Sequence, residues 1–273
     1  MTDTLDRAEL TAALSEQWEA LARLVGELDE NRWRTPSPLP GWTVFDVLAH
    51  VIGTESVLLG ESLPSVDADV QAFDHVRNPT GAFNETWLEA LRPLSGAQLL
   101  QRFFEITDRR RKALAEIDDD AWRADIQSPI GLVSYGRFMR VRLFDCWMHE
   151  LDIADALGVR IEEGGRRAEL AIDEIEPFLG RTLVKRGKAP DGSQITVELT
   201  GPVVRADHVR VDGRAELVAA LDGPADAVLR LDSGLFARLC GGRTTAGEHI
   251  GEIELSGDRE LARRLADHLA FTI

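Results

Sequence analysis

The 273-residue sequence contains few cysteines, few lysines and no long apolar run. Its two cysteines, Cys146 and Cys240, are too few for a disulfide framework or for a zinc site built from thiolates. Charged residues interrupt the apolar stretches, which excludes a membrane-spanning helix. The first residues are polar and acidic and lack the basic and apolar regions of a secretory signal. These absences predict a cytoplasmic protein with reduced cysteines.

Positive charge is also scarce, because 31 Lys and Arg residues stand against 47 Asp and Glu residues. The formal net charge of −16 argues against nucleic acid and against an anionic membrane as partners, since both attract basic surfaces. It does not exclude a small anionic substrate, which a locally basic pocket would bind. The strong preference for arginine over lysine, together with abundant Ala, Gly and Leu, indicates a GC-rich bacterial genome.

Apolar residues in the first part of the chain recur at helical spacing. The pattern predicts four main helices with one long connection over residues 64–79, which is the arrangement of a four-helix bundle. Thr43 followed by Asp46, and Ser95 followed by Gln98, are capping-box signals for two of the helix starts. The main helices are expected at 5–28, 43–59, 95–117 and 134–157, with a shorter one at 80–91.

The pattern changes after about residue 160. A helix is predicted over residues 164–186, followed by short runs of alternating apolar residues that predict strands. These strands are expected at 195–199, 209–211, 228–231 and 253–255, with helices at 214–221, 233–240 and 258–270. The sequence therefore predicts an α+β protein of two domains, a helical bundle over residues 1–160 and a small α+β domain over residues 165–273.

The strongest chemical signal lies in the stretch over residues 144–153. Here Asp145, His149 and Asp152 occupy positions i, i+4 and i+7 and share one face of a helix. A carboxylate and an imidazole one turn apart suit a single metal ion, and His50 in another helix would supply a third ligand. One carboxylate, two imidazoles and an open position match catalytic zinc, and they also suit Ni²⁺, Fe²⁺ or Mn²⁺.

Simpler interpretations of the same residues remain open. An Asp and a His at positions i and i+4 also form an ordinary ion pair, which needs no metal. A lone histidine on a partly apolar helix, such as His50, is more often a hydrogen-bonded core residue. Asp152 would either orient a ligand histidine or pair with Arg140 or Arg142. Cys146 is expected to face away from the side of the helix that carries Asp145 and His149. It is therefore not a candidate nucleophile.

Two segments resemble those of a known family. The run from Pro40 to His50 resembles the second-helix signature of the DinB/YfiT-like metal-binding bundles. Residues 144–153 resemble the last-helix signature of their actinobacterial branch, the mycothiol-dependent maleylpyruvate isomerase family. The resemblance covers nearly the whole chain. It implies a DinB-like four-helix bundle followed by a sterol-carrier-like α+β domain.

The resemblance also implies a set of site residues. A divalent metal, with Zn²⁺ as the first choice, would be held by His50, Asp145 and His149. The characterised isomerase has Glu where this chain has Asp145, so we expect the metal to lie closer to this helix or to be bound differently. Family members use an arginine of the second domain to engage an anionic substrate. Arg243 is the candidate for this catalytic role, with Arg238 as the alternative.

The function implied by the resemblance is that of a metal-dependent isomerase or thiol transferase. It would use a low-molecular-weight thiol, mycothiol in this family, on a small electrophile such as maleylpyruvate. One alternative is a non-enzymatic module that binds a small ligand and keeps a structural or vestigial metal. Another is a bundle without metal, in which Asp145 and His149 form a buried pair. The sequence leaves open whether the protein is a monomer or a homodimer.

Overall fold

The chain divides into two compact units, Met1–Ile161 and Glu162–Ile273, of which the computed structural model describes residues 7–272. The first unit is mainly helical. Its described helices are α1 (Arg7–Val25), α2 (Glu30–Trp33), α3 (Val44–Leu58), α4 (Pro79–Leu91), α5 (Gly96–Glu116), α6 (Asp119–Arg123) and α7 (Tyr135–Leu157). A hairpin of β1 (Asp125–Ser128) and β2 (Gly131–Ser134) precedes α7.

The four long helices α1, α3, α5 and α7 form the core of this unit. α1 packs against α5 and α7, and α3 packs against α4, α5 and α7. The contacts between these helices are mainly apolar, and their largest hydrophobic side chains are almost completely buried: Trp18, Phe45, Phe103 and Trp147. Burial of each such side chain stabilises the folded protein by about 2 to 3 kcal/mol. These contacts therefore hold the helices together. The predicted four-helix bundle with its long connection before α4 is confirmed.

A capping box fixes the beginning of α3. The Thr43 hydroxyl accepts a hydrogen bond from the Asp46 backbone N–H, and the Asp46 carboxylate accepts one from the Thr43 N–H at 2.8 Å. The same carboxylate accepts a hydrogen bond from Arg92 Nε at 2.9 Å. Because the cap sets where the first turn begins, it also sets which face of α3 carries His50 two turns later.

The last bundle helix, α7, is 23 residues long and well defined at both ends. Ser134 caps its start by accepting a hydrogen bond from the Arg137 N–H. Gly158 ends it in the left-handed conformation, with φ of +64°, which glycine adopts without strain. The helix therefore presents Asp145 and His149 from a rigid segment, more than two turns away from either end.

The second unit combines a five-stranded sheet with helices. Its strands are β3 (Gln194–Thr200), β4 (Arg205–Asp212), β5 (Arg214–Val218), β6 (Ala227–Asp232) and β7 (Glu254–Gly257). Its described helices are α8 (Gly165–Asp173), α9 (Glu176–Lys185), α10 (Ser233–Cys240) and α11 (Arg259–Ala266). The strand order is β5-β4-β3-β6-β7, with β3 and β6 parallel and the other neighbours antiparallel. The predicted α+β class is confirmed.

Two predictions for the second unit are wrong in detail. The helix expected over 164–186 is two helices, α8 and α9, because Pro177 lies in the first turn of α9 and has no N–H to continue the earlier helix. The segment 214–221, expected to be helical, contains strand β5. Gly213 takes φ of +64° and reverses the chain so that β5 pairs with β4 and packs against α9. Tertiary pairing thus overrides the helical propensity of this segment.

No helix within residues 7–272 combines the length and the apolar character that crossing a membrane requires.

Candidate metal centre

Three side chains that the sequence predicts as metal ligands lie together inside the first unit. They come from two helices that pack against each other: α3 carries His50, and α7 carries Asp145 and His149. One ligand atom from each residue lies within 4.8 Å of the corresponding atoms of the other two. Both imidazoles are buried, whereas the Asp145 side chain is 31% exposed, so the centre is accessible from the Asp145 side.

The two histidine nitrogens approach different oxygens of the Asp145 carboxylate, at distances near those between the ligand atoms of one metal ion. His50 Nε2 lies 3.3 Å from Asp145 Oδ2, and His149 Nε2 lies 3.6 Å from Asp145 Oδ1. A tetrahedral zinc ion with bonds of about 2.0 to 2.1 Å separates neighbouring ligand atoms by roughly 3.3 to 3.4 Å. The two imidazole rings meet edge to face, with centroids 4.9 Å apart. The donor set of two nitrogens and a carboxylate oxygen is also one that zinc prefers.

Asp152 orients the His149 ring. Its Oδ2 lies 2.9 Å from His149 Nδ1, and the Asp152 side chain is completely buried. A hydrogen bond from Nδ1–H to this carboxylate leaves the lone pair of Nε2 pointing toward Asp145. Carboxylates commonly hold metal-binding histidines in this way. The structure shows the predicted contact of Asp152 with His149, and it places Arg142 on Glu55 and Asp145.

The local environment favours the metal-binding protonation states of two candidate ligands, Asp145 and His50. Burial opposes ionisation of Asp145, but the neighbouring His149, Arg142 and His50 outweigh it and hold the pKa of the carboxyl well below its usual range. Burial lowers the pKa of His50, although the nearby Asp145 partly offsets this effect. A metal requires a charged carboxylate and neutral imidazoles, and these shifts favour the charged form of Asp145 and the neutral form of His50.

An aromatic side chain from the Pro40-to-His50 signature lies against the centre. The Trp42 ring centroid is 5.4 Å from that of His50 and 6.4 Å from that of His149. Its Nε1 donates a hydrogen bond to Glu85 Oε2 at 3.2 Å, and His75 Nε2 lies 3.0 Å from the same oxygen. Glu85 is completely buried and fixes the indole. The position of Trp42 inside the Pro40-to-His50 signature was the available signal for this role.

Comparison with known proteins identifies the family. A family model described as the mycothiol maleylpyruvate isomerase N-terminal domain matches residues 14–154, and the C-terminal domain model of the same family matches residues 169–264. The chain belongs to the mycothiol maleylpyruvate isomerase family. Among its relatives is "Uncharacterized protein Rv0036c" of Mycobacterium tuberculosis strain ATCC 25618 / H37Rv, which is 28% identical over 201 residues, covering 72% of this chain and 75% of the relative.

Solved structures share the fold of this family member. The crystal structure of the mycothiol-dependent maleylpyruvate isomerase is similar with a TM-score of 0.62 and 19% identity, covering 93% of this chain and 95% of that one. A histidine-to-alanine mutant of that isomerase gives a TM-score of 0.59 and 17% identity at the same coverage. At this level of identity the likeness establishes the fold alone.

The candidate arginines of this family member lie in the second unit. Arg243 follows α10 and is half-buried, with its Nη1 donating a hydrogen bond to the Gly241 carbonyl at 2.6 Å. Arg238 lies within α10 and forms a two-pronged pair with Glu163, with both N–O distances 2.8 Å. An arginine already paired with a carboxylate is a poorer anion receptor, which counts against Arg238.

Neither cysteine is available as a nucleophile. Cys146 and Cys240 are 0% and 1% exposed, and burial raises the pKa of both thiols. Cys146 lies beside Asp145 in the chain, yet its sulfur accepts a hydrogen bond from Arg142 Nη2 at 3.4 Å within the bundle. Any thiol chemistry at this centre therefore needs a thiol from outside the protein.

This burial leads to a prediction about thiol labelling. We expect neither cysteine of the folded protein to react with Ellman's reagent at pH 8 within minutes, because a buried thiol with a raised pKa is neither ionised nor accessible. After unfolding in guanidinium chloride, both should react. Rapid labelling of one thiol in the folded protein would contradict the placement of these residues.

Proposed function

We propose that this protein is a metal-dependent isomerase that uses a low-molecular-weight thiol, mycothiol, as its cosubstrate and acts on a small electrophile of the maleylpyruvate type. The convergence of His50, Asp145 and His149 in a member of this family carries the proposal. The absence of an accessible protein thiol also supports it, since an external thiol would then be needed.

His50, Asp145 and His149 would hold the metal. Zn²⁺ fits the donor set, and Ni²⁺, Fe²⁺ and Mn²⁺ are the other candidates. When bound, such a metal with an open position would stabilise a thiolate over a thiol near neutral pH. Asp152 keeps the His149 ring in its ligand orientation. Trp42 packs against both imidazoles and shields them from water.

The reaction needs a nucleophile that can leave again. The thiolate sulfur would add to one carbon of the cis double bond, and the electron pair would move onto the conjugated carbonyl oxygen. The former double bond would then be single and free to rotate. When the carbonyl re-forms, the double bond returns in the trans geometry and the thiolate departs unchanged. No oxidant or reductant is consumed. A thiol transferase would share the first step and release the adduct after protonation.

Substrate recognition requires local positive charge. A dicarboxylate approaching a protein of net charge −16 is repelled over long distances, although salt screens this repulsion. We propose, from the family resemblance, that Arg243 supplies the guanidinium that engages a substrate carboxylate. Its half-buried position is compatible with that role.

The proposed function is tested by an isomerisation assay with the untagged protein after incubation with zinc. Conversion of maleylpyruvate to its trans isomer should require mycothiol and should stop when a chelator removes the metal. Matched reactions without thiol, and with glutathione in its place, measure thiol dependence and thiol selectivity. No rate above background with mycothiol and fully loaded metal would overturn the isomerase and favour a ligand-binding module.

A further inference from the structure

A group of buried charged side chains lies next to the candidate metal centre. Glu55 on α3, Arg110 on α5 and Arg142 on α7 have side chains that are 1%, 1% and 3% exposed. Buried charges are retained only when paired, and replacing them with apolar residues often leaves a protein equally stable. Stability alone therefore gives a weak reason for three such residues to lie here.

Glu55 is the anchor of the group. Its Oε2 accepts a hydrogen bond from Arg110 Nε at 2.7 Å. Its Oε1 accepts one from Arg142 Nε at 3.0 Å and lies 2.9 Å from Arg142 Nη2. Two nitrogens of the Arg142 fork are thus fixed on a single carboxylate oxygen. Because guanidinium is planar, this pairing also fixes the direction of the remaining nitrogen, Nη1.

The remaining nitrogen of Arg142 points at a candidate metal ligand. Arg142 Nη1 donates a hydrogen bond to Asp145 Oδ2 at 2.6 Å, from one helical turn earlier in α7. The other oxygen, Asp145 Oδ1, lies toward His149 Nε2 at 3.6 Å. Arg142 therefore links Glu55, on the helix that also carries His50, to the carboxylate of the centre.

We propose that Arg142 is a positioning residue that holds the Asp145 carboxylate in its metal-binding orientation, with Glu55 holding Arg142 in turn. The inference rests on the proposed metal centre and adds the residues that organise it. Without Arg142, the carboxylate would rotate about its Cβ–Cγ bond, since its contacts with the two imidazoles are 3.3 and 3.6 Å long. A fixed carboxylate binds a metal more tightly because less rotational freedom is lost on binding.

The test is the zinc dissociation constant, measured by competition with a chromophoric chelator. Arg142→Lys keeps the charge but loses the fork, and we expect it to weaken zinc binding about tenfold or more. Glu55 touches no candidate metal ligand, so Glu55→Gln should also weaken zinc binding, but by a smaller factor. The matched control is Arg111→Lys on α5, whose side chain contacts Ser15 and not the centre. Circular dichroism verifies that each variant is folded.

A double variant separates a positioning role of Arg142 from a general structural role. In Arg142→Lys protein, Glu55→Gln should change zinc affinity by no more than about twofold, because residues that act through one another are not additive. If Glu55→Gln lowers zinc affinity by the same factor in wild-type and in Arg142→Lys protein, the inference is overturned. Wild-type zinc affinity in folded Arg142→Lys would also overturn it. If Arg142→Lys does not fold, wild-type affinity in Glu55→Gln overturns it. Wild-type protein that binds no zinc overturns the proposed centre itself, and the positioning role with it.

Discussion

Replacing His149 with alanine is expected to remove both the bound zinc and the thiol-dependent isomerase activity. His149 Nε2 is one of three converging donors, and its partner Asp152 holds it in place. A site left with His50 and Asp145 lacks the three protein ligands that catalytic zinc sites use. Zinc content by plasma mass spectrometry should fall to background, and the isomerisation rate should fall to that of the reaction without enzyme.

His208→Ala is the matched control for this substitution. His208 lies on β4 in the second unit, where its Nδ1 contacts Thr196 Oγ1 at 3.0 Å. This variant should keep full zinc content and activity. If His149→Ala instead remains folded with wild-type zinc content and rate, the site lies elsewhere in the protein.

Replacing Asp152 with asparagine is expected to weaken zinc binding by about 10- to 100-fold, the usual effect of losing a carboxylate behind a ligand histidine. The substitution removes the negative charge next to His149 Nδ1 while nearly preserving the size of the buried side chain. All three donors remain, so the variant should still reach one equivalent of zinc at saturation. Chelator competition measures the difference in affinity.

Glu150→Gln is the control for Asp152→Asn. Glu150 is a buried carboxylate on the same helix, but it accepts a hydrogen bond from Gln17 Nε2 at 2.7 Å on the side facing α1. Its replacement should leave zinc affinity unchanged. Equal affinities for Asp152→Asn and wild type would show that the contact with His149 has no effect on a metal.

The features of the site that follow from periodicity within one helix could be predicted from the sequence. The i, i+4 spacing places Asp145 and His149 on one face of α7, and the helical pattern around them is strong enough to predict the helix. The capping signal at Thr43 and Asp46 predicts where α3 begins. Bringing His50 to the same point required the family signature as well, because helical spacing does not reveal which helices pack together.

The features that depend on packing between helices could not be predicted. Arg142 lies one turn from Asp145, so helical spacing allows a contact between these two residues. Glu55, however, belongs to α3, and only the packing of α3 on α7 brings it to Arg142. The same holds for Glu85, which reaches Trp42 across the long connection before α4. Strand β5 is the equivalent case in the second unit, because its conformation is set by pairing with β4.

The metal centre is tested most directly by the metal content of protein purified without a histidine tag. Zinc per chain is measured by plasma mass spectrometry before and after incubation with excess zinc followed by gel filtration. We expect one tightly bound equivalent per chain in wild type and its loss in His50→Ala. A content well below one equivalent, unchanged by incubation with zinc, would contradict it and leave Asp145 and His149 as a buried ion pair.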